Sequence, residues 1–135
     1  MTRLFAAAVL ALGLSATSAA SAQSAISQDA HITEGLIAVG IADEIRSTCD
    51  SISPRMIRAY QFINGLWSHA REAGYSDPEI EAYVDSDTEK ARLKGLALAY
   101  MTQNGVVPGD AESYCTLGRT EIAEGSAIGR LLRAK

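Results

Sequence analysis

Two cysteines, Cys49 and Cys115, lie 66 positions apart in a chain whose beginning reads as an export signal, and this pair constrains the fold more than any other feature. An oxidising compartment makes a disulfide the stable state of two such residues; two buried thiols are the alternative. In the chain-entropy account, closing a loop of that length is worth roughly 4 kcal/mol, a large share of a small domain's stability. The bridge would tie the first half of the chain to its last quarter.

The export reading rests on Arg3, the apolar run 4–14 and Ala20-Ser21-Ala22, which follow the order of a secretory signal with an A-x-A site. Cleavage is expected after Ala22, giving a signal peptide 1–22 and a mature chain that starts at Gln23. A membrane anchor is the competing reading, but the run is about half of the roughly 20 apolar residues that span a bilayer. No Cys follows the cleavage site and no Arg pair precedes the run, so neither a lipid anchor nor the twin-arginine route is expected. The mature chain is expected in the periplasm or secreted.

Removing 22 of 135 residues leaves 113, enough for one domain, 23–135, and too few for two. Only Arg3 among the charged residues is lost, so 11 basic residues face 16 acidic ones and the net charge becomes −5. That balance argues against nucleic acid or anionic lipid as a partner, both of which select a basic footprint. The longest later apolar run, 36–42, is bounded by Glu34 and Asp43, so no second membrane segment is expected.

The rest of the pattern is helical. Asp29 is placed to cap a helix in which Ile37, Ile41, Ile45 and Cys49 recur at every fourth position, with Gly35 and Gly40 placed to mark a close crossing. Residues 23–28 ahead of it are expected to fray. Ile52-Ser53-Pro54 reads as the entrance to the strongest helix, with Ser53 as cap, Pro54 as first residue and Ile52 stapled on Ile57. Its stripe Met56, Tyr60, Ile63, Trp67, Ala70 is expected to face the core, and Gly74 to end it. Ser76-x-x-Glu79 and Ser86-x-x-Glu89 are two capping boxes that divide a short helix from a longer one bearing Leu93, Leu96, Ala97, Tyr100 and Met101. Asp110 caps a fifth helix with Tyr114, Cys115, Gly118 and Ile122. No alternating strand pattern is visible, so the expected fold is all-α: a compact bundle of about five helices with one disulfide.

No catalytic constellation emerges. His31 and His69 are the only histidines, and neither has a second ligand at the spacing of a zinc site. Cys49 as a nucleophile would need a thiolate-stabilising setting that the sequence does not display. Asp77, Glu79, Glu81, Asp85, Asp87 and Glu89 place six acids in 13 residues with no base among them. A calcium loop starting at Asp85 fails, with Lys90 where the turn needs Gly and Leu96 where a bidentate Glu belongs. These carboxylates suit two helix N-termini, and they are also a candidate interaction patch for a basic protein partner. Leu131 and Leu132 are candidates for an exposed apolar contact, although core burial is the commoner fate of such a pair. No cofactor and no metal are expected.

The segments "SQDAHITEGL", "IRSTCDSIS", "AGYSDPEIEAYVDSDTEKARLKGLA" and "GDAESYCTLGRTEIAEGSAIGRLLRAK" resemble a family of small exported alphaproteobacterial helical proteins of unknown function. Some of its members carry the label of an NADH dehydrogenase component, the one that holds a two-iron cluster. The resemblance implies a helical domain and transfers no catalytic residue. Such a component binds its cluster through four cysteines, whereas this chain has two. The expected role is therefore a non-enzymatic interaction or accessory module whose partner is another envelope protein. The alternatives are a periplasmic acid-stress chaperone and an accessory protein of a respiratory membrane complex.

Overall fold

A computed structural model describes residues 17–135; Arg3 and the apolar run 4–14 of the expected signal lie outside the described residues. The elements in order are α1 (Thr17–Ser27), α2 (Ala30–Thr48), β1 (Ile52–Pro54), α3 (Met56–Glu72), α4 (Asp77–Asp85), α5 (Asp87–Gln103), α6 (Ala111–Glu124), a 3-10 turn (Gly129–Leu131) and β2 (Leu132–Ala134). The helical fold expected from the sequence is present, with one more helix at the N-terminal side. Residues 23–28 do not fray: most of them continue α1, Ile26 is 1% exposed, and the Gln23 side-chain amide donates to the Ala82 carbonyl at 3.2 Å. Ile26 packs with Ile80 and Tyr83 of α4, which seats this segment against that helix.

Most helix ends follow local chemistry. The Asp29 carboxylate accepts from the Ile32 amide at 3.1 Å and starts α2. Ser76 and Glu79 form the reciprocal box that opens α4. Ser86 caps α5 through the Glu89 amide, and the chain breaks between the two helices there. Asp110 caps α6 through the Glu112 amide. Gly74 follows the end of α3 with φ of 99°, a left-handed conformation that an L side chain resists.

α2 is the central element and packs against α1, α3, α5, α6 and β1. Of its buried side chains, Ala38, Ile41, Ala42 and Ile45 belong to a larger cluster and Ile32 to a smaller one. The larger one joins α2, α5, α6 and the C-terminal segment. The smaller one gathers Ile26, Ile32, Ala70, Ile80 and Tyr83. Cys49 caps the C-terminus of α2 and is bonded to Cys115 of α6, with Cα atoms 5.2 Å apart. Gly118, one turn beyond Cys115, lets α6 approach; a Cβ there would lie 2.4 Å from Ile52 Cδ1 and 2.8 Å from Ile45 Cγ2. The expected link between the Asp29 and Asp110 helices is therefore formed.

Two expectations fail between residues 52 and 70. Ile52-Ser53-Pro54 is not a helix entrance but β1, paired antiparallel with β2 in the register Ile52↔Ala134, Ser53↔Arg133, Pro54↔Leu132. Arg55 occupies the cap position of α3 without a side-chain cap, and Ile57 is exposed, so no staple forms. The local cap lost to a long-range pairing: the Arg55 amide donates to the Leu131 carbonyl at 2.8 Å, and its Nε donates to the Leu132 carbonyl at 3.0 Å. Pro54, lacking an amide, is tolerated at this two-stranded edge.

The second failure is rotational. The core face of α3 is Ala59, Phe62, Leu66 and Ala70, not the stripe that starts at Met56. Leu66 sits in the notch left by Gly35, where a Cβ would come within 2.5 Å of Leu66 Cδ2. That contact and the Arg55 anchor together turn the helix. Trp67 and Ala70 still reach the smaller cluster, while Met56, Tyr60 and Ile63 face outward. Leu131 and Leu132 are buried, and no helix among the described residues is long and apolar enough to cross a membrane.

Candidate functional site

The outward turn of α3 leaves Met56 67%, Ile57 77%, Tyr60 70% and Ile63 41% exposed along one side of its first two turns. Large apolar side chains gathered in this way on a surface mark a contact site more often than single exposed ones do. Met56 and Ile63 also edge a depression of about 180 Å³ floored by Val39, Ala42, Leu131 and Leu132. Asp43 and Arg46 stand at its rim, joined to each other at 2.8 Å. The sequence pattern places Met56, Tyr60 and Ile63 on the core face and Ile57 in a staple with Ile52, and all four are exposed instead. Periodicity reports that a helix has an apolar stripe, not which neighbour covers it.

The six clustered acids are divided by the structure. Asp77 accepts from Arg71 Nε at 2.6 Å and from Trp67 Nε1 at 3.1 Å, and the Arg71 guanidinium and the indole hold its carboxyl below the usual range. Glu79 closes the capping box on the Ser76 amide, and Glu89 accepts from Arg92 Nε at 2.9 Å. Glu81, Asp85 and Asp87 make no such bond among the described residues and stay exposed. Half of the cluster thus serves helix ends and neighbouring arginines, which leaves a smaller open patch than six carboxylates imply.

The two histidines, 38 residues apart in sequence, meet. Their ring centroids lie 4.5 Å apart, and His69 Nε2 is 2.9 Å from the Asp29 carboxylate, which lowers the Asp29 pKa. Asp29 is already engaged as the α2 cap, so this trio belongs to a helix junction. Among the described residues no group of three metal-capable side chains is assembled. Both thiols are consumed by the disulfide.

The most unusual polar group is one that sequence reading passed over. Glu121 of α6 is 2% exposed. The Tyr100 hydroxyl donates to its Oε1, and the Ser126 hydroxyl donates to its Oε2. Ser126 Oγ in turn accepts from the Gly129 amide at 3.0 Å. A signal existed: Glu121 falls in line with Tyr114 and Gly118 at helical spacing, a charged residue on the inner face of α6. The three residues lie at a cavity of about 460 Å³ between α2, α5 and α6. On the other side of α5 a second cavity of about 480 Å³ is edged by both acids and bases, including Glu44, Glu89, Lys90 and Lys94.

The carboxylate beside Tyr100, together with burial, pushes the phenol up to about 12. The folded state therefore favours the protonated phenol. Its contribution to stability is full below the ordinary tyrosine value of 10.0 and is lost as pH rises through about 12. Tyr100→Phe removes one of two hydroxyls from a buried carboxylate and is expected to destabilise the protein by about 1 to 3 kcal/mol at neutral pH. Denaturant melts of both proteins should show that difference constant to about pH 10 and shrinking above it. A difference independent of pH would separate the hydroxyl from Glu121.

Residues 24–133 match a family of unknown function (DUF5333). The chain is a member of DUF5333. The match takes in the disulfide, the exposed side of α3, the Glu121 cluster and both large cavities, so each of these features lies inside the DUF5333 region. No curated protein and no solved structure matches the chain.

Proposed function

We propose that the chain is an exported, non-catalytic interaction module of the cell envelope, and that it docks a partner protein through the outer side of α3. The observation that carries this reading is the exposed set Met56, Ile57, Tyr60 and Ile63, beside an apolar depression. Met and Tyr are enriched at protein interfaces, where large side chains supply contact area. Export is supported by the signal pattern and by a disulfide that an oxidising compartment keeps formed. Cleavage after Ala22 would divide α1 and leave Ile26 in the core of the mature chain. The non-catalytic reading is supported by the use of both cysteines in the bridge and of Asp29 and His69 at a helix junction.

The test compares wild type, Ile57→Glu/Tyr60→Glu and Glu81→Gln/Asp85→Asn/Asp87→Asn as baits in envelope extracts. All substituted side chains are exposed, so stability should stay within about 0.5 kcal/mol of wild type. Wild type is expected to retain one stoichiometric partner, and the α3 variant to lose it at least tenfold, about 1.4 kcal/mol or more. Loss confined to the acid variant would move the interface to α4 and α5. Retention of many clients only after acid treatment would favour a chaperone, and recovery of respiratory-complex subunits an accessory role there.

A further inference from the structure

The cavity at Glu121 has a chemistry that the interaction reading does not use. Two acids, Glu34 and Glu121, line it, and no Lys, Arg or His does. Ile37, Ile41, Leu96 and Ile128 make most of its wall apolar. Its volume of about 460 Å³ falls within the roughly 300 to 1,000 Å³ typical of small-molecule sites. Glu121 is buried and makes no ion pair among the described residues. A buried carboxylate is normally paired, because hydroxyl bonds alone do not offset the loss of water. Two hydroxyls occupy two of its about four acceptor positions, so capacity for a further donor is left.

We propose that this cavity binds a small amphipathic cation, a primary amine on an apolar chain, with the ammonium at Glu121 and the chain along the α2 and α5 walls. An ammonium supplies the missing positive charge and up to three donors. The isoleucines and Leu96 take the apolar part out of water. Glu34, exposed at the rim, adds attraction for the same sign of charge. The cavity on the other side of α5 lacks this bias, since Lys90 and Lys94 stand among its acids. The two large cavities are therefore not equivalent: one selects charge and the other does not.

Isothermal titration of the purified protein with hexylamine, hexanol and hexanoate tests this directly, since the three share a chain and differ in head group. Hexylamine is expected to bind about tenfold or more tightly than hexanol, the ratio a charge-assisted bond gives, with hexanoate weakest. Glu121→Gln should bring amine and alcohol to within about twofold, the residue left by uncharged hydrogen bonding. Ala99→Trp, an exposed position of α5 at the edge of the cavity, should abolish binding of every probe without altering stability. Absence of amine binding to wild type overturns the proposal. So does equal affinity for the three probes, an amine preference that survives in Glu121→Gln, or binding that survives in Ala99→Trp. If Glu121→Gln does not fold, the wild-type probe series and Ala99→Trp still decide.

Discussion

Reducing the Cys49–Cys115 bridge lowers the thermal midpoint by about 15 °C or more, the shift that roughly 4 kcal/mol produces in a domain of this size. The effect is entropic. The bridge closes 66 positions of chain, so its loss returns freedom mainly to the unfolded ensemble. The native contacts around it are not expected to dissolve. Cys49 and Cys115 lie in the larger cluster with Ile45, Ile52 and Leu117, and that packing does not depend on the covalent bond. Cys49→Ala/Cys115→Ala should therefore keep the helical circular dichroism spectrum and match the reduced wild type in midpoint. The exposed side of α3 lies outside the bridged crossing, so the partner capture proposed for it should survive at temperatures where the variant is folded. Free thiols in the native protein, or a midpoint indifferent to reductant, would refute the bridge as a stabilising element.

What could be read from the sequence was local, and what could not be read was relational. Asp29, Ser76 with Glu79, Ser86 and Asp110 each act on amides within three residues, and all four helix starts were visible. The cysteine pair was visible because only one partner exists for each. The Ser53-Pro54 entrance was as good a local signal as the others, yet Leu132–Ala134 pairs with that segment from about eighty residues away. A three-residue strand carries too little alternation to declare itself against a helix cap. The Met56 to Ala70 stripe is also real as a pattern. Which side of α3 is covered was settled by Leu66 entering the Gly35 notch and by Arg55 binding the Leu131 and Leu132 carbonyls. Glu121 was legible as a charge out of place, but its partners Tyr100 and Ser126 come from another helix and from a loop. The candidate surfaces thus lie where tertiary contacts overrode a local expectation, which is where functional departures from local consistency are to be sought.

Gly129→Ala should destabilise the protein by about 3 kcal/mol or more, although it adds a single methyl group. Gly129 is buried, and a Cβ there would lie 1.9 Å from the Glu121 carbonyl oxygen, 2.2 Å from its carbon and 2.6 Å from the Ile122 nitrogen. These are backbone atoms at the end of α6, which no rotamer change can move aside. The C-terminal segment would have to lift, and Ile128, Leu131 and Leu132 leave the core with it. Pairing of β2 with β1 and the Arg55 anchor on Leu131 and Leu132 would weaken together, so the start of α3 should loosen although it is remote in sequence. Gly40→Ala is the control: nothing lies within 4 Å of a Cβ there, and a helix interior gains about 1 kcal/mol from Ala over Gly. Urea denaturation should show the two substitutions acting in opposite directions. Amide exchange should report lost protection at residues 53–55 in Gly129→Ala alone. If Gly129→Ala is too unstable to purify, combining it with Gly40→Ala brings the loss into measurable range, since the sites are separate enough to add. Wild-type stability in Gly129→Ala would mean that the segment after Gly125 does not seat against α6, and the Ser126 hydroxyl would then not be available to hold Glu121.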